Sequence, residues 1–227
     1  MDGPGVFCPQ CGAPAPFRGT LVTLVCEYCG STIVRDGVDI ALVGKVSALV
    51  DNGSPVLLGS RGRWRGVPFE IIGRLQVEYG RGQWNEWFLA LADGTTGWLS
   101  DALGQFAVTQ PRAQQLPLNV PFSAVAVGMV LAFDGATLTV VDRRAAQYRG
   151  SEGQLPMAAT PSCTYYAVDL RGPAGEFVTL DWGESPKHPH PQQYVGSNTT
   201  IAQLGLHPLR AFQGWPRPHP AAAGAPT

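Results

Sequence analysis

Trp87-Phe88-Leu89-Ala90-Leu91, then Asp93-Gly94, then Gly97-Trp98-Leu99, reads as one β-hairpin: two apolar, aromatic-rich runs flanking a turn pair. Working outward, Gly66-Val67-Pro68-Phe69-Glu70-Ile71-Ile72-Gly73-Arg74 is a strand-like segment upstream. Gly135–Arg143 follows it 69 positions later and matches it in kind, and Tyr79 maps to Tyr148 at that offset. After an insertion at Gly153–Ser162, Tyr165–Leu170 with Gly172 stands where Trp87–Leu91 stood with Gly94. Phe177–Leu180 then replaces Trp98-Leu99. The chain is therefore expected to be mainly β. Two copies of one small antiparallel meander, each barrel-like in the SH3 manner, are each too short to close a core alone. They either pack as two half-barrel units or merge into a single larger antiparallel barrel. The expected boundaries are residues 1–34, 35–112 and 113–213, with a Pro- and Ala-rich, disordered tail at 214–227.

The first of these segments carries a different signal. Cys8-Pro9-Gln10-Cys11-Gly12 and Cys26-Glu27-Tyr28-Cys29-Gly30 are near copies, with fourteen residues between Cys11 and Cys26. A C-x-x-C turn presents two thiolates to one ion, and the following Gly permits the left-handed backbone of such a knuckle. Leu21–Val25 reads as a strand and Thr32-Ile33-Val34 as its closing partner, with Phe17 and Tyr28 expected to cover the site. Cys8, Cys11, Cys26 and Cys29 are thus expected to hold one structural Zn2+. Four thiolates close the coordination sphere, so this zinc is a scaffold and not a catalyst. A redox pair would be single and sit in a strand–helix setting, and a disulfide framework would need an oxidising compartment. Cys163 has no His near it in sequence and reads as a packing residue.

Composition excludes several classes. Only 15% of residues are charged, Gly (28) and Pro (20) are frequent, and the net charge is −1. Many turns and short strands suit that balance better than long solvated helices. No segment has the basic surplus that phosphate binding uses, and the cysteine-rich module carries one Arg against Asp2 and Glu27, so nucleic acid is an improbable partner. No run approaches the ~20 apolar residues of a membrane span, and the N-terminus lacks a basic stretch followed by an apolar run. The expected location is cytoplasmic.

Several residues together carry a family resemblance. They are Gly73-Arg74, Trp84-Asn85-Glu86-Trp87, Asp93-Gly94 and Gly97-Trp98-Leu99 in the first half. In the second half they are Glu152–Pro156, Tyr166 with Asp169-Leu170, Thr179–Trp182 and Tyr194-Val195-Gly196. In motif order, over roughly residues 43–209, the chain resembles the bacterial family called domain of unknown function 4178, some of whose members carry an N-terminal zinc ribbon. The resemblance implies no catalytic residues. It does imply gene neighbours that make polyamines or answer membrane stress.

The densest candidate surface is Trp84, Asn85, Glu86 and Trp87 with Trp98 and Arg74. Two readings compete for it. The Trp rings with Glu86 could line a pocket for a cation such as a polyamine. Alternatively Trp87 and Trp98 are cross-strand core neighbours and Glu86 pairs with Arg74, the reading that ordinary sheet pairing favours. Arg61, Arg63 and Arg65 would share one strand face, read as solvated. His188 and His190, flanked by Pro, read as an exposed loop more than a metal pair. Glu152, Asp169, Asp181 and Glu184 are scattered acids whose convergence sequence does not reveal. No nucleophile elbow, P-loop or dinucleotide fingerprint is present. The leading expectation is a non-enzymatic adaptor that contacts a protein partner through its β domain. The runner-up is a module for a small cation, and nucleic-acid binding through the ribbon comes third.

Overall fold

The computed structural model describes residues 6–36, 39–45, 49–80, 82–158 and 163–211. The tail expected at 214–227 lies outside them. Three short strands follow the first cysteine knuckle: β1 (Thr23–Val25), β2 (Ser31–Asp36) and β3 (Asp39–Lys45). They pair antiparallel in the order β1-β2-β3, with Leu24 opposite Ile33. The strand expected at Thr32–Val34 lies inside β2, and the apolar stretch after Val38 supplies β3.

Ten more strands follow: β4 (Arg61–Trp64), β5 (Val67–Tyr79), β6 (Gly82–Leu91), β7 (Thr96–Ala102), β8 (Gln105–Pro111), β9 (Val130–Phe133), β10 (Ala136–Leu155), β11 (Thr164–Arg171), β12 (Glu176–Asp181) and β13 (Gln192–Thr199). Each half is a meander, β5-β6-β7-β8 and β10-β11-β12-β13, preceded by a four-residue hairpin strand. Pairings β8–β13 and β5–β10 join the two, so eight antiparallel strands run round in a ring. Of the arrangements left open by the sequence, the pairings form the single ring. Among the described residues, neither meander closes on itself as a separate SH3-like unit.

The halves correspond in detail. Arg65 (φ 50°) and Gly66 (φ 82°) turn β4 into β5; Asp134 (φ 54°) and Gly135 (φ 80°) turn β9 into β10. Two successive positive φ values match the right-handed twist of the flanking strands, as in a two-residue hairpin. Each long strand then carries a bulge at the matching place, between Ile71 and Gly73 in β5 and between Val140 and Asp142 in β10, and β10 has a second between Tyr148 and Gly150. One extra residue there moves the following side chains to the other face of the sheet. Phe69 and Ile71, before the bulge, pack outside the ring with Trp87, Leu89 and Leu99. Leu75 and Val77, after it, pack inside with Trp84, Phe88 and Tyr165.

Three apolar clusters result. The outer face of the first meander is covered by Val56, Trp64, Leu204 and Leu206. A one-turn helix, α1 (Ile201–Leu204), holds the last two in place. Its Thr200 side chain accepts from the Gln203 amide, and Gly205 (φ 57°) ends it in the left-handed conformation. The outer face of the second meander carries Val140, Val168, Leu170 and Leu180 under Phe122, Val125 and Phe133. The third cluster lies inside the ring.

At the two seams the backbones approach closely. A Cβ on Gly196 would lie 1.8 Å from the Val108 carbonyl oxygen, and one on Gly73 would lie 2.0 Å from that of Gln154. Only glycine fits these crossings.

Candidate functional site

The knuckles fold as their sequence requires. Gly12 and Gly30 have φ values of 72° and 70°. The Gly12 and Gly30 amides donate to the carbonyls of Cys8 and Cys26 at 2.8 Å each. All four thiol sulfurs fall within 4.8 Å of one another. Cys8 Sγ lies 3.6 Å from Cys29 Sγ, and Cys11 Sγ lies 3.8 Å from Cys26 Sγ. Four sulfurs placed tetrahedrally at ~2.3 Å from an ion stand roughly 3.8 Å apart, so the cluster has the right size to hold a metal ion. The Cys29 thiol is lowered to about 6, first by the Ser31 hydroxyl and then by the Ser31 amide. Beneath the site lie Ala15, Leu24 and Ile33, with Phe17 against them. Tyr28, expected to cover the site, is instead 75% exposed, because its position within the knuckle turns it to solvent.

The candidate patch divides between two faces, because successive residues of a strand point to opposite sides. Asn85 and Trp87 face the outer core of the first meander, as does Arg74, which lies opposite Trp87 in the register. Arg74 Nε and Nη2 donate to Asn85 Oδ1 at 2.9 and 2.8 Å, its guanidinium lies 4.9 Å from the Trp87 ring centroid, and Nη1 reaches Glu152 at 3.3 Å. Asn85 in turn donates to Asp101, which also accepts from Ser54. These residues form a buried polar network that fastens residues 52–54 to the sheet. The expected Glu86–Arg74 pair does not form, since the two side chains lie on opposite faces. Trp87 and Trp98 are not cross-strand neighbours either. Trp87 stands opposite Leu99, and Trp98 opposite Phe88, whose ring it meets at 4.8 Å.

Trp84, Glu86 and Trp98 point inward and meet residues of the other half. A cavity of about 90 Å³ is lined by them and by Arg144, Tyr148, Tyr165, Asp169, Asp181 and Tyr194. Glu86 Oε1 accepts from Trp84 Nε1 at 2.7 Å and from Ser100 Oγ at 2.7 Å. Burial pushes its pKa up, against the pull of Ser100, Trp84 and the Arg144 charge. Burial likewise raises Asp181, opposed by the Gly183 amide at 2.7 Å. Among the described residues, neither carboxylate has a basic side chain within ion-pair distance. Asp169 differs: it pairs with Arg144 and accepts from Thr179 Oγ1 at 2.7 Å. Tyr148 and Tyr165 stack with centroids 5.0 Å apart. Burial raises both, and pushes Tyr194 up to about 12, so all three rings are neutral near pH 7.

A second cavity of about 300 Å³ shares Trp84, Ser100, Arg144 and Asp169 with the first. Its remaining walls, among them Gln105, Asp142, Arg171, Phe177 and Asn198, lie toward one end of the same strands. The two chambers therefore follow each other along the ring axis. Arg144 stands at the junction, 4.6 Å from the Trp84 ring centroid and ion-paired to Asp142 at 3.1 Å as well as to Asp169.

The remaining sequence candidates stay apart from this lumen. Arg61 and Arg63 are exposed on β4 and Arg65 lies in the turn over the Trp64 ring. His188 and His190 are exposed, and the four cysteines are the one metal-capable cluster among the described residues. Cys163 shares a hydrogen bond with Glu184 that pushes its thiol pKa up, the opposite of activation. Arg144 and the three lumen tyrosines were not singled out as site residues by their sequence setting. The early signals for the tyrosines were indirect: Tyr148 repeats Tyr79, Tyr165 heads a repeat segment, and Tyr194 belongs to the family motifs.

A ring of eight antiparallel strands with a polar, aromatic lumen and a four-cysteine module at its end defines a β-barrel protein with internal cavities and a candidate metal centre. The chain belongs to the family described as Domain of unknown function (DUF4178), whose match covers residues 57–198. That span contains β4 to β12 and all but the last residue of β13, and leaves the cysteine module outside. No curated protein and no solved structure matches the chain. Among the described residues no helix is long and apolar enough to cross a membrane.

Proposed function

We propose that the barrel is a binding module for a small organic cation carrying one or more ammonium groups, and that the four cysteines hold one structural zinc ion. The observation that carries the first part is the pair of carboxylates, Glu86 and Asp181, raised by burial in an aromatic cavity where neither forms an ion pair, the Arg144 guanidinium of the same lining being paired with Asp142 and Asp169. A buried anion without a counter-charge is costly. An incoming ammonium removes that cost and gains the faces of Trp84, Trp98 and the tyrosines. The decisive experiment is calorimetry of the full chain with putrescine, spermidine and tetramethylammonium. Saturable binding that disappears in Glu86→Gln/Asp181→Asn supports the reading. Absence of binding by all three cations sinks it. One equivalent of zinc by elemental analysis, lost on substitution of Cys11 and Cys29, would support the second part.

A protein partner remains the alternative, and one observation favours it. Phe7 and Tyr28 stand 57% and 75% exposed on the cysteine module, while Trp84 and Trp87 are buried. The contact surface of an adaptor would then lie on the ribbon and not on the barrel. Purification from the native cell should yield a stoichiometric partner that Phe7→Ser/Tyr28→Ser loses. No partner with either chain would remove this reading.

A further inference from the structure

The lining of the inner chamber includes one residue outside the ring strands, Met157, just past the end of β10. Leu21, from the cysteine module, packs inside the ring in one cluster with Leu155, Trp84 and Tyr165. β1 continues the sheet onto the end of β10, with Thr23 opposite Leu155 and Leu24 opposite Gln154. The Val22 amide donates to the Leu155 carbonyl at 3.0 Å. Thr23 Oγ1 donates to the Met157 carbonyl at 2.6 Å, and Met157 lines the inner cavity. Gln154 is held twice, by the Arg18 amide at 2.7 Å and by its own Nε2 on the Pro16 carbonyl at 3.1 Å.

Those contacts depend on a module that has little else to fold it. Its core is Ala15, Leu24 and Ile33 together with Cys8 and Cys26, so two of the five buried residues are themselves members of the thiol cluster. A core this small leaves most of the folding free energy to the metal. The ring is different. Its seams pair β5 with Gln147–Gly153 of β10 and β8 with β13, and no residue of the module takes part.

We infer that the cysteine module braces the end wall of the lumen at Leu155–Met157, and that a metal ion on its four thiolates keeps the wall in place. Metal loss frees Leu21 and Met157 and opens the inner chamber while the ring persists. The consequence for ligand rests on the cation reading above; the wall itself does not.

Hydrogen exchange read by mass spectrometry on the full chain tests this, comparing zinc-loaded protein with protein stripped by a chelator under reducing conditions. Amides of Thr23–Val25 and Gln154–Met157 should exchange at least tenfold faster after stripping. Those of Val108–Gln110 and Phe177–Leu180 should not change. Unchanged protection at Gln154–Met157 overturns the inference. Should stripping unfold the whole chain, Leu21→Ala/Thr23→Val decides. With one zinc retained, this variant must loosen Gln154–Met157 and weaken spermidine at least tenfold, and failure on the first count overturns the wall. Loosened amides in a chain that binds no cation even when zinc-loaded would uphold the wall and refute the cation reading.

Discussion

The two halves of the ring are alike on the outside and unlike within. At equal offset, Trp64, Phe69 and Ile71 of the first half correspond to Phe133, Leu138 and Val140 of the second, all buried and apolar. Inside, Leu75 and Val77 correspond to Arg144 and Ala146. Outer positions need only shape and hydrophobicity, which many sequences supply. Inner positions after the bulge differ between the halves, apolar in β5 but in β10 carrying the charge of Arg144 and the ring of Tyr148. The asymmetry separates what builds the ring from what the ring encloses.

The comparison can be broken first at the seams. Gly196→Val drives a side chain into the Val108 backbone and should cost about 3 kcal/mol or more, the severe end of overpacking, seen as a lowered denaturant midpoint. If the variant is as stable as the parent, the halves do not depend on that seam. Next, Leu89→Ala and Leu170→Ala delete fully buried side chains from the two outer cores. Each should cost about 2–5 kcal/mol and leave lumen binding unchanged. A large difference between them would show that one half holds the other.

The inner faces answer to pH. Glu86 and Asp181 have raised folded-state pKa values, so their contribution to stability is fully present below the ordinary carboxylate range and is lost as pH rises through the raised values. Apo protein should therefore weaken over that interval, and Glu86→Gln should weaken less. Cation binding should show the opposite trend, strengthening as both acids ionise. A flat profile from pH 4 to 7 in both measurements would contradict this electrostatic account. The smallest effect is local. Leu103 is 99% exposed with φ 53° at the tip between β7 and β8, so Leu103→Asn should relieve strain and raise stability by up to about 1 kcal/mol.

Much of the architecture was legible because turns and cysteine pairs are local signals. The C-x-x-C spacing and the Asp93-Gly94 turn depend on neighbours in sequence, and the 69-residue offset repeats such local patterns. The lumen was legible only in part. Trp84, Glu86 and Trp98 stood out, but their neighbours Asn85 and Trp87 face the opposite way and belong to a structural network. Asp169 and Asp181 appeared as scattered acids and within the family motifs, but their approach to Glu86 depends on the β5–β10 and β8–β13 pairings. Ring closure between distant strands leaves no short-range mark.

The bulges at Ile71/Gly73 and Val140/Asp142 act as parity switches. They let one continuous strand present residues of one parity, odd in β5 and even in β10, to an outer core before the bulge and to the lumen after it. Such an arrangement depends on strand length as well as on residue identity. Deleting Ile72 or Val141 would remove that switch and turn the following residues inside out, sending Leu75 or Arg144 to the wrong side. For this barrel the reading frame of each long strand is as much a determinant of the interior as the identity of any residue in it.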